Sequence, residues 1–119
     1  MATYARILLS GTSSGLPIPV SATATPGTLL HTAVAGSTSY DEVFAWVSNV
    51  TGSDATLTIE WGGVTDPDDL VCKDVTIPAN CAPILICAGL NLNNGAVVRA
   101  FSDTAGALNF TGYVNRISA

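Results

Sequence analysis

Two groups of residues in this chain have types and spacing that could support chemistry, and the first surrounds a serine. Residues 11–15 read Gly-Thr-Ser-Ser-Gly and match the Gly-x-Ser-x-Gly pattern, in which the serine is a nucleophile on a sharp strand-to-helix turn. That chemistry needs a histidine and an acid later in the chain, but no helical period follows the pattern and the only histidine is His31. We therefore interpret residues 11–15 as a loop and expect His31, in a predicted strand, to have a packing or surface role.

The second group is acidic and consists of Glu60, Asp66, Asp68 and Asp69. Several carboxylates on a flexible loop can bind Ca²⁺, but the spacing does not match an EF-hand, and a solvated acidic turn accounts for the same residues. Paired-carboxylate glycoside hydrolysis normally needs a large cleft around the acid pair. We expect no catalytic, metal-binding or cofactor-binding residues, and we predict that the chain is not an enzyme.

Three cysteines, Cys72, Cys81 and Cys87, have a spacing that matches neither a zinc site nor a Cys-x-x-Cys redox motif. Free cysteine is among the most buried residue types. We expect buried, reduced thiols, with a disulfide between two of the cysteines as the alternative.

The elements that position these residues are short segments rich in β-branched side chains and separated by turn residues, a pattern typical of sandwiches and barrels. The predicted strands cover residues 3–9, 17–23, 29–34, 43–49, 56–61, 70–77, 84–87, 96–102 and 107–117. No segment has a sustained helical period. The sequence predicts one all-β domain over residues 1–119, an antiparallel β-sandwich that is jelly-roll-like and has about eight strands.

Some predicted strands also have an expected place in the sandwich. Residues 43–49 are apolar on both faces and should form a central strand, with Trp46 in the core. Residues 56–61 alternate, so Leu57, Ile59 and Trp61 should face the core while Thr56, Thr58 and Glu60 face water. The last two strands should form a hairpin through residues 103–106.

Composition excludes several classes of partner. The net charge is -5 and charged residues make up 11% of the 119 residues, against roughly 25% in an average domain. With four basic residues, the chain is a poor ligand for nucleic acid and for anionic membranes. The apolar residues 82–90 are too few to span a bilayer, and residues 7–9 are too few for the core of a cleaved export signal.

Four stretches resemble a group of small virion proteins of tailed bacteriophages. They read Tyr-Ala-Arg-Ile-Leu-Leu-Ser-Gly at 4–11, Leu-Thr-Ile-Glu-Trp-Gly-Gly at 57–63 followed by Pro-Asp-Asp at 67–69, Asn-Gly-Ala-Val-Val-Arg-Ala-Phe at 94–101, and Gly-Tyr-Val-Asn-Arg-Ile at 112–117. Proteins of this type resemble capsid cement or decoration proteins. The resemblance implies a homo-oligomer, dimer or trimer, that is made in the cytoplasm of the bacterial host and stabilises the mature head from the outer surface of the major capsid protein lattice.

Two alternatives to the cement role stay open. One is another virion component, in the tail, a head fibre or the head-tail connector. The other is a carbohydrate-binding or adhesin module, which would require exposed aromatic side chains at Tyr40, Trp46, Trp61 and Tyr113. An aromatic strip would favour sugar binding, whereas an extended arm and a broad flat surface would favour cement.

The candidate arm covers residues 1–20, for which an ordinary edge strand is the alternative. The candidate capsid-binding residues are Tyr4, Arg6, Leu8, Leu9, Leu16, Pro17 and Pro19. An arm of this kind would order on the shell and add contact area when it binds.

A truncation distinguishes the arm from the edge strand. If residues 1–20 form an arm, removing residues 1–16 should leave the domain folded and weaken its attachment to the shell. Loss of folding in the truncated chain would instead identify the segment as an integral strand.

Overall fold

Strands account for all the regular structure of the residues that the structure describes. The structure is a computed structural model that describes residues 2–118. Within these residues it contains nine strands and no helix, and hence no helix that could cross a membrane. The strands are β1 (Thr3–Leu8), β2 (Ile18–Pro19), β3 (Thr28–Thr32), β4 (Tyr40–Asn49), β5 (Ala55–Trp61), β6 (Leu70–Ile77), β7 (Cys81–Leu92), β8 (Val97–Ser102) and β9 (Leu108–Ser118).

The strands form two antiparallel sheets that pack face to face, which confirms the predicted β-sandwich. Sheet A has the order β1-β9-β4-β7, with the short β2 also paired to β9, and sheet B has the order β3-β8-β5-β6. Apart from β2, early strands pair with late ones in a nested series: β1 with β9, β3 with β8, β4 with β7, and β5 with β6. This is the strand order of a jelly roll. The additional strand, relative to the eight of a jelly roll, is the two-residue β2.

The predicted hairpin of the last two strands is wrong. Strand β8 pairs with β3 and β5 in sheet B, whereas β9 pairs with β1 and β4 in sheet A. Residues 103–106 therefore carry the chain from one sheet to the other. Both strands are close to their predicted bounds, but alternation within a strand does not encode which strand pairs with it.

Strand β5 also differs from its predicted pattern. Leu57 and Ile59 face the core as expected, and Trp61 packs partly against it, but Thr58 and Glu60 on the opposite face are buried rather than wet. The loop before β3 covers this face: Thr25 Oγ1 donates to Glu60 Oε2 at 2.5 Å and the Gly27 amide donates to Oε1 at 2.7 Å. A carboxylate can stay buried because these donors replace water.

The cysteines are free thiols in the part of the chain that the structure describes. Cys87 is buried, as predicted, but Cys72 and Cys81 are only partly buried. Burial, with a smaller contribution from the neighbouring Cys72, raises the pKa of the Cys87 thiol to about 12. Burial likewise raises the pKa of Cys72.

Residues 9–20 close one long side of the sandwich, between the edge strands β1 and β3. The Gly11 amide donates to the carbonyl of Leu30 in β3 at 2.9 Å, and Ile18 in β2 pairs with Phe110 in β9. Leu9 is only 1% exposed and belongs to the core. Together with the pairing of β1 to β9, these contacts make the segment an integral edge of the sandwich, the alternative to a free arm.

A pair of adjacent leucines tests this integration. Leu9→Ala should lower the free energy of unfolding by about 2–5 kcal/mol, because it leaves a cavity in a packed core. Leu8→Ala, at a side chain that is 48% exposed, is the matched control and should cost less than about 1 kcal/mol. Urea denaturation followed by tryptophan fluorescence measures both; equal costs would contradict the integral role of the segment.

Candidate interaction surface

The outer face of sheet A carries a group of large side chains that we call the aromatic face. In an antiparallel pair, directly opposite residues lie on the same side of the sheet. Since Val43, Ala45 and Val47 of β4 are buried in the core, the alternate residues of β4 and their partners on β9 and β1 point away from it. The aromatic face consists of Tyr4, Arg6, Leu8, Phe44, Trp46 and Tyr113.

The side chains of the aromatic face form one stack centred on Tyr113. Phe44 lies almost parallel to Tyr113, with 5.0 Å between ring centroids and an interplanar angle of 18°. The guanidinium carbon of Arg6 lies 4.2 Å from the Tyr113 centroid. Because β9 runs between β1 and β4, Arg6 and Phe44 approach Tyr113 from opposite sides. Both faces of the tyrosine ring are therefore covered.

Trp46 extends the stack along β4. Its ring centroid lies 6.0 Å from that of Tyr113, with the planes tilted by 35°. The side chain is partly exposed, so the prediction that Trp46 lies in the core is wrong. A strand that is apolar on both faces gives the alternation rule no basis for choosing which face is buried, and here the smaller Ala45 and Val47 take the inner positions.

Two glycines permit close packing around Phe44. Gly112 lies opposite Ala45, and a Cβ there would collide with the carbonyl oxygen of Phe44. Gly89 on β7 has a φ of +76°, and a Cβ there would lie 3.1 Å from Cζ of Phe44. The Phe44 ring is thus held between β7 and the ring of Tyr113, which fixes its orientation.

The predicted contact residues are divided between surface and core. Tyr4 is 71% exposed and lies, with Arg6 and Leu8, on the aromatic face. Pro19 pairs with Asn109 on the same side of sheet A, while Leu16 and Pro17 are exposed in the loop before β2.

Leu9 is the exception among these residues, because its side chain is part of the core and is not available to a partner in the folded domain. Sequence reasoning did not include Phe44 among candidate surface residues, and it considered exposed Trp46 and Tyr113 only as a requirement of the sugar-binding alternative. The spacing of two between Phe44 and Trp46 in β4 was a usable signal, but it was ambiguous without the pairing to β9.

A buried ionic network lies at the closed side of the sandwich. The carboxylate of Asp41 accepts from Nε2 of His31 at 2.7 Å and from Nε and Nη2 of Arg116 at 2.8 and 3.0 Å. His31 and Asp41 are fully buried. The backbone amide of Ser10 donates to Nδ1 of His31 at 3.0 Å, so the proton of the neutral ring is on Nε2.

This network resembles a Ser-His-Asp triad in composition but not in geometry. The lone pair of His31 Nδ1 is used by the Ser10 backbone amide, and the Ser10 hydroxyl accepts from the amide of Thr32 at 2.6 Å. No lone pair of the imidazole is left to take a proton from a hydroxyl. The arrangement instead joins β3 of sheet B to β4 and β9 of sheet A and holds the start of residues 9–20.

The acidic residues do not converge on one point. Glu60 is bonded to Thr25 and Gly27, as described above. Asp66 pairs with Lys73 at 2.8 Å, and Asp69 accepts from the Thr65 amide at 3.0 Å. Within residues 2–118 no three metal-ligating side chains are grouped so as to hold an ion.

Comparison of the chain with protein families, with curated proteins and with solved structures finds no match to any of them. What the aromatic face can do therefore has to be judged from its own chemistry. Tyr, Trp, Phe and Arg are the residues enriched in the buried centres of protein–protein interfaces.

The ionic network predicts a pH-dependent stability. Burial by itself raises the pKa of Asp41, but the hydrogen bonds from Arg116 and His31 outweigh it and hold that pKa below the ordinary value of 3.8. A lowered folded-state pKa means that the charged carboxylate stabilises the fold above the unfolded-state value, and that this contribution is lost as the pH falls through the folded-state pKa.

Asp41→Asn should therefore lower the free energy of unfolding by about 3–5 kcal/mol at pH 7, the cost of breaking a buried ion pair. The difference from the wild type should shrink as the pH falls below 3.8. Urea denaturation between pH 7 and pH 3 measures this, with Asp68→Asn at an exposed position as the control. A cost that did not change with pH would contradict the charged state of Asp41.

Proposed function

We propose that this chain is a capsid cement protein of a tailed bacteriophage, which binds the outer surface of the major capsid protein lattice through its aromatic face and stabilises the mature head. The observation that carries the proposal is the stack of Arg6, Tyr113, Phe44 and Trp46 beside the exposed Tyr4. The proposal also draws on the resemblance of four sequence stretches to phage virion proteins.

The aromatic face has the properties of a protein-binding surface. Interface residues that contribute most to affinity are enriched in Trp, Tyr and Arg. The rings of Phe44 and Tyr113 are fixed by mutual stacking on two central strands, so little side-chain entropy remains to be lost on binding. A partner that covered this face would bury large apolar area on a rigid platform.

Multivalency and net charge are both consistent with a protein that acts in many copies on the outside of a shell. A cement protein occupies equivalent positions on a symmetric lattice, and modest contacts that act together produce a large total stabilisation. The net charge of -5 favours the outside of a shell over the inside, where the phosphates of packaged DNA would repel it. In this proposal attachment depends on a sheet face rather than on a free arm, because residues 3–8 are paired with β9.

A carbohydrate-binding module is the second candidate, because Trp46 and Tyr113 lie on one sheet face. Sugars stack on open ring faces, however, and both faces of Tyr113 are covered by Arg6 and Phe44. Ring edges and one guanidinium suit the mixed surface of a protein better than the flat side of a sugar.

The tail, head-fibre and connector roles differ from the cement role in the number of copies that each virion would carry.

The proposal predicts stoichiometric binding to shells. Purified protein mixed with expanded phage capsids that lack it should bind in a number that matches the capsid lattice, and it should raise the temperature at which the capsids break open. A few copies at one vertex would favour the tail, fibre or connector role. No binding to capsids, together with saturable binding of an oligosaccharide, would favour the sugar-binding role.

Single substitutions test whether the aromatic face makes the contact. Tyr4→Ala and Trp46→Ala should each weaken binding to capsids about thirtyfold, which corresponds to the roughly 2 kcal/mol typical of important interface residues. Phe101→Ala is the matched control, since Phe101 is a partly exposed aromatic residue of sheet B. Equal effects of all three substitutions, with the fold intact by circular dichroism, would contradict attachment through sheet A.

A further inference from the structure

The two long sides of the sandwich are closed to different extents. Residues 9–20 seal the side at β1 and β3, but the opposite side, at β6 and β7, leaves core-facing side chains uncovered. Val75 is opposite Leu57, Ile84 is opposite Val47, and Leu90 is opposite Val43, so all three lie on inner faces of the sheets. Their partners are at most 1% exposed, whereas Val75, Ile84 and Leu90 are 37%, 38% and 40% exposed.

The uncovered side chains belong to one continuous surface. Strands β6 and β7 are edge strands of different sheets, and Cys72 of β6 packs against the same core that contains Cys87 of β7. The two edges therefore lie over each other. We call this surface the open wall, and it consists of Val75, Ile84 and Leu90, which are exposed large apolar residues on the inner faces of the two sheets.

The open wall is nearly free of charge. The twelve residues of β7 include no charged side chain, although edge strands of monomeric proteins are usually protected by charges. On β6, Lys73 is neutralised by its ion pair with Asp66, which leaves Asp74. Two identical walls can therefore meet with little like-charge repulsion, even though the whole chain carries a net charge of -5.

The size of the open wall fits a protein partner. At about 3.3 Å per residue, the twelve residues of β7 span about 40 Å. Since the molecule measures 48 × 29 × 20 Å, β7 must run along its longest axis. A wall about 40 Å long and about 20 Å thick offers about 800 Å², the area that each partner contributes to a standard interface.

Features of β7 limit how the wall can be covered. Pro83 lacks an amide donor, and the register of β7 against β4 shifts between Val43 and Phe44 and again between Ala45 and Trp46. A proline and bulges oppose the open-ended addition of strands to an edge. The wall is therefore suited to side-chain packing against one partner of defined shape, not to a growing sheet.

We propose that the open wall binds the open wall of a second copy of this chain across a two-fold axis. A nearly uncharged apolar surface can meet a copy of itself with little like-charge repulsion, and a self-matched surface gives a closed dimer. The dimer does not rest on the proposed function, because the aromatic face lies on a different side of the molecule and stays free.

Sedimentation of the full chain tests the dimer. Interfaces of this size have dissociation constants of about 1 µM or tighter, so the wild type should be a dimer at about 10 µM. Ile84→Lys and Leu90→Lys should each weaken the dimer by about a hundredfold or more, because they bury an unpaired charge. Leu29→Lys, at a similarly exposed leucine on edge strand β3, is the matched control and should leave the dimer unchanged.

Three results would overturn the proposal. They are a wild type that stays monomeric at about 100 µM, well above the expected dissociation constant; a dimer that Leu29→Lys disrupts while the open-wall variants do not; and a trimer or larger ring, which a two-fold contact cannot produce. Circular dichroism confirms that each variant is folded.

Thiol labelling gives a second readout that does not depend on a substitution. Cys72 and Cys81 lie on the edge strands of the open wall and are partly exposed. Their labelling should be slower at concentrations that form the dimer than at dilutions that dissociate it. Equal rates at both concentrations would overturn the proposal. Capsid binding by a monomeric open-wall variant then tests the aromatic face separately, so failure of one proposal is distinguishable from failure of the other.

Discussion

The fold depends on a carboxylate that has no access to solvent. Asp41 on β4 receives hydrogen bonds from His31 of the other sheet and from Arg116 of the neighbouring strand, and a buried charge is tolerable only when it is paired in this way. The same histidine accepts the amide of Ser10 and so fixes the point at which residues 9–20 begin to cross from β1 to β3. One network therefore aligns the two sheets and closes one side of the sandwich. It also anchors β1 and β9, the strands that carry Tyr4, Arg6 and Tyr113.

The aromatic face lies on the outer side of the two central strands of sheet A. Beside the stack, the inner positions of these strands are held by the small residues Ala45, Val47 and Gly112. Phe44, Trp46 and Tyr113 take the alternate positions and stack on one another outside. The buried core lies on the opposite side of these strands, between the two sheets. The proposed role in binding would account for the aromatic face, and the covered faces of Tyr113 favour a protein over a sugar as the proposed partner.

The local sequence pattern was sufficient to predict the positions of most strands and the all-β class of the fold, because alternation and turn residues depend on only a few neighbouring positions. It was not sufficient where distant segments decide the outcome. The alternation in β5 predicts that Glu60 faces water, yet the loop that contains Thr25 and Gly27 covers it. The strands at residues 96–102 and 107–117 look like a hairpin, yet each pairs in a different sheet. The ionic network joins positions 31, 41 and 116, whose separation in the sequence gives no sign of contact. Only part of the aromatic face could be predicted from the sequence. Tyr4, Arg6 and Leu8 lie in one predicted strand, but the other residues of the face come from β4 and β9.

The two proposed contacts constrain each other geometrically. Two open walls can meet about a two-fold axis normal to the sheets, which brings β7 against β7, or about an axis parallel to the strands, which brings β7 against β6. The first arrangement places both aromatic faces on the same side of the dimer, and the second places them on opposite sides. A cement protein that grips a curved shell with both copies requires the first. In that arrangement, binding of one aromatic face makes the second binding event intramolecular, so the pair holds the lattice more strongly than either copy alone. A dimer with opposed faces would instead leave one aromatic face of each pair pointing away from the shell.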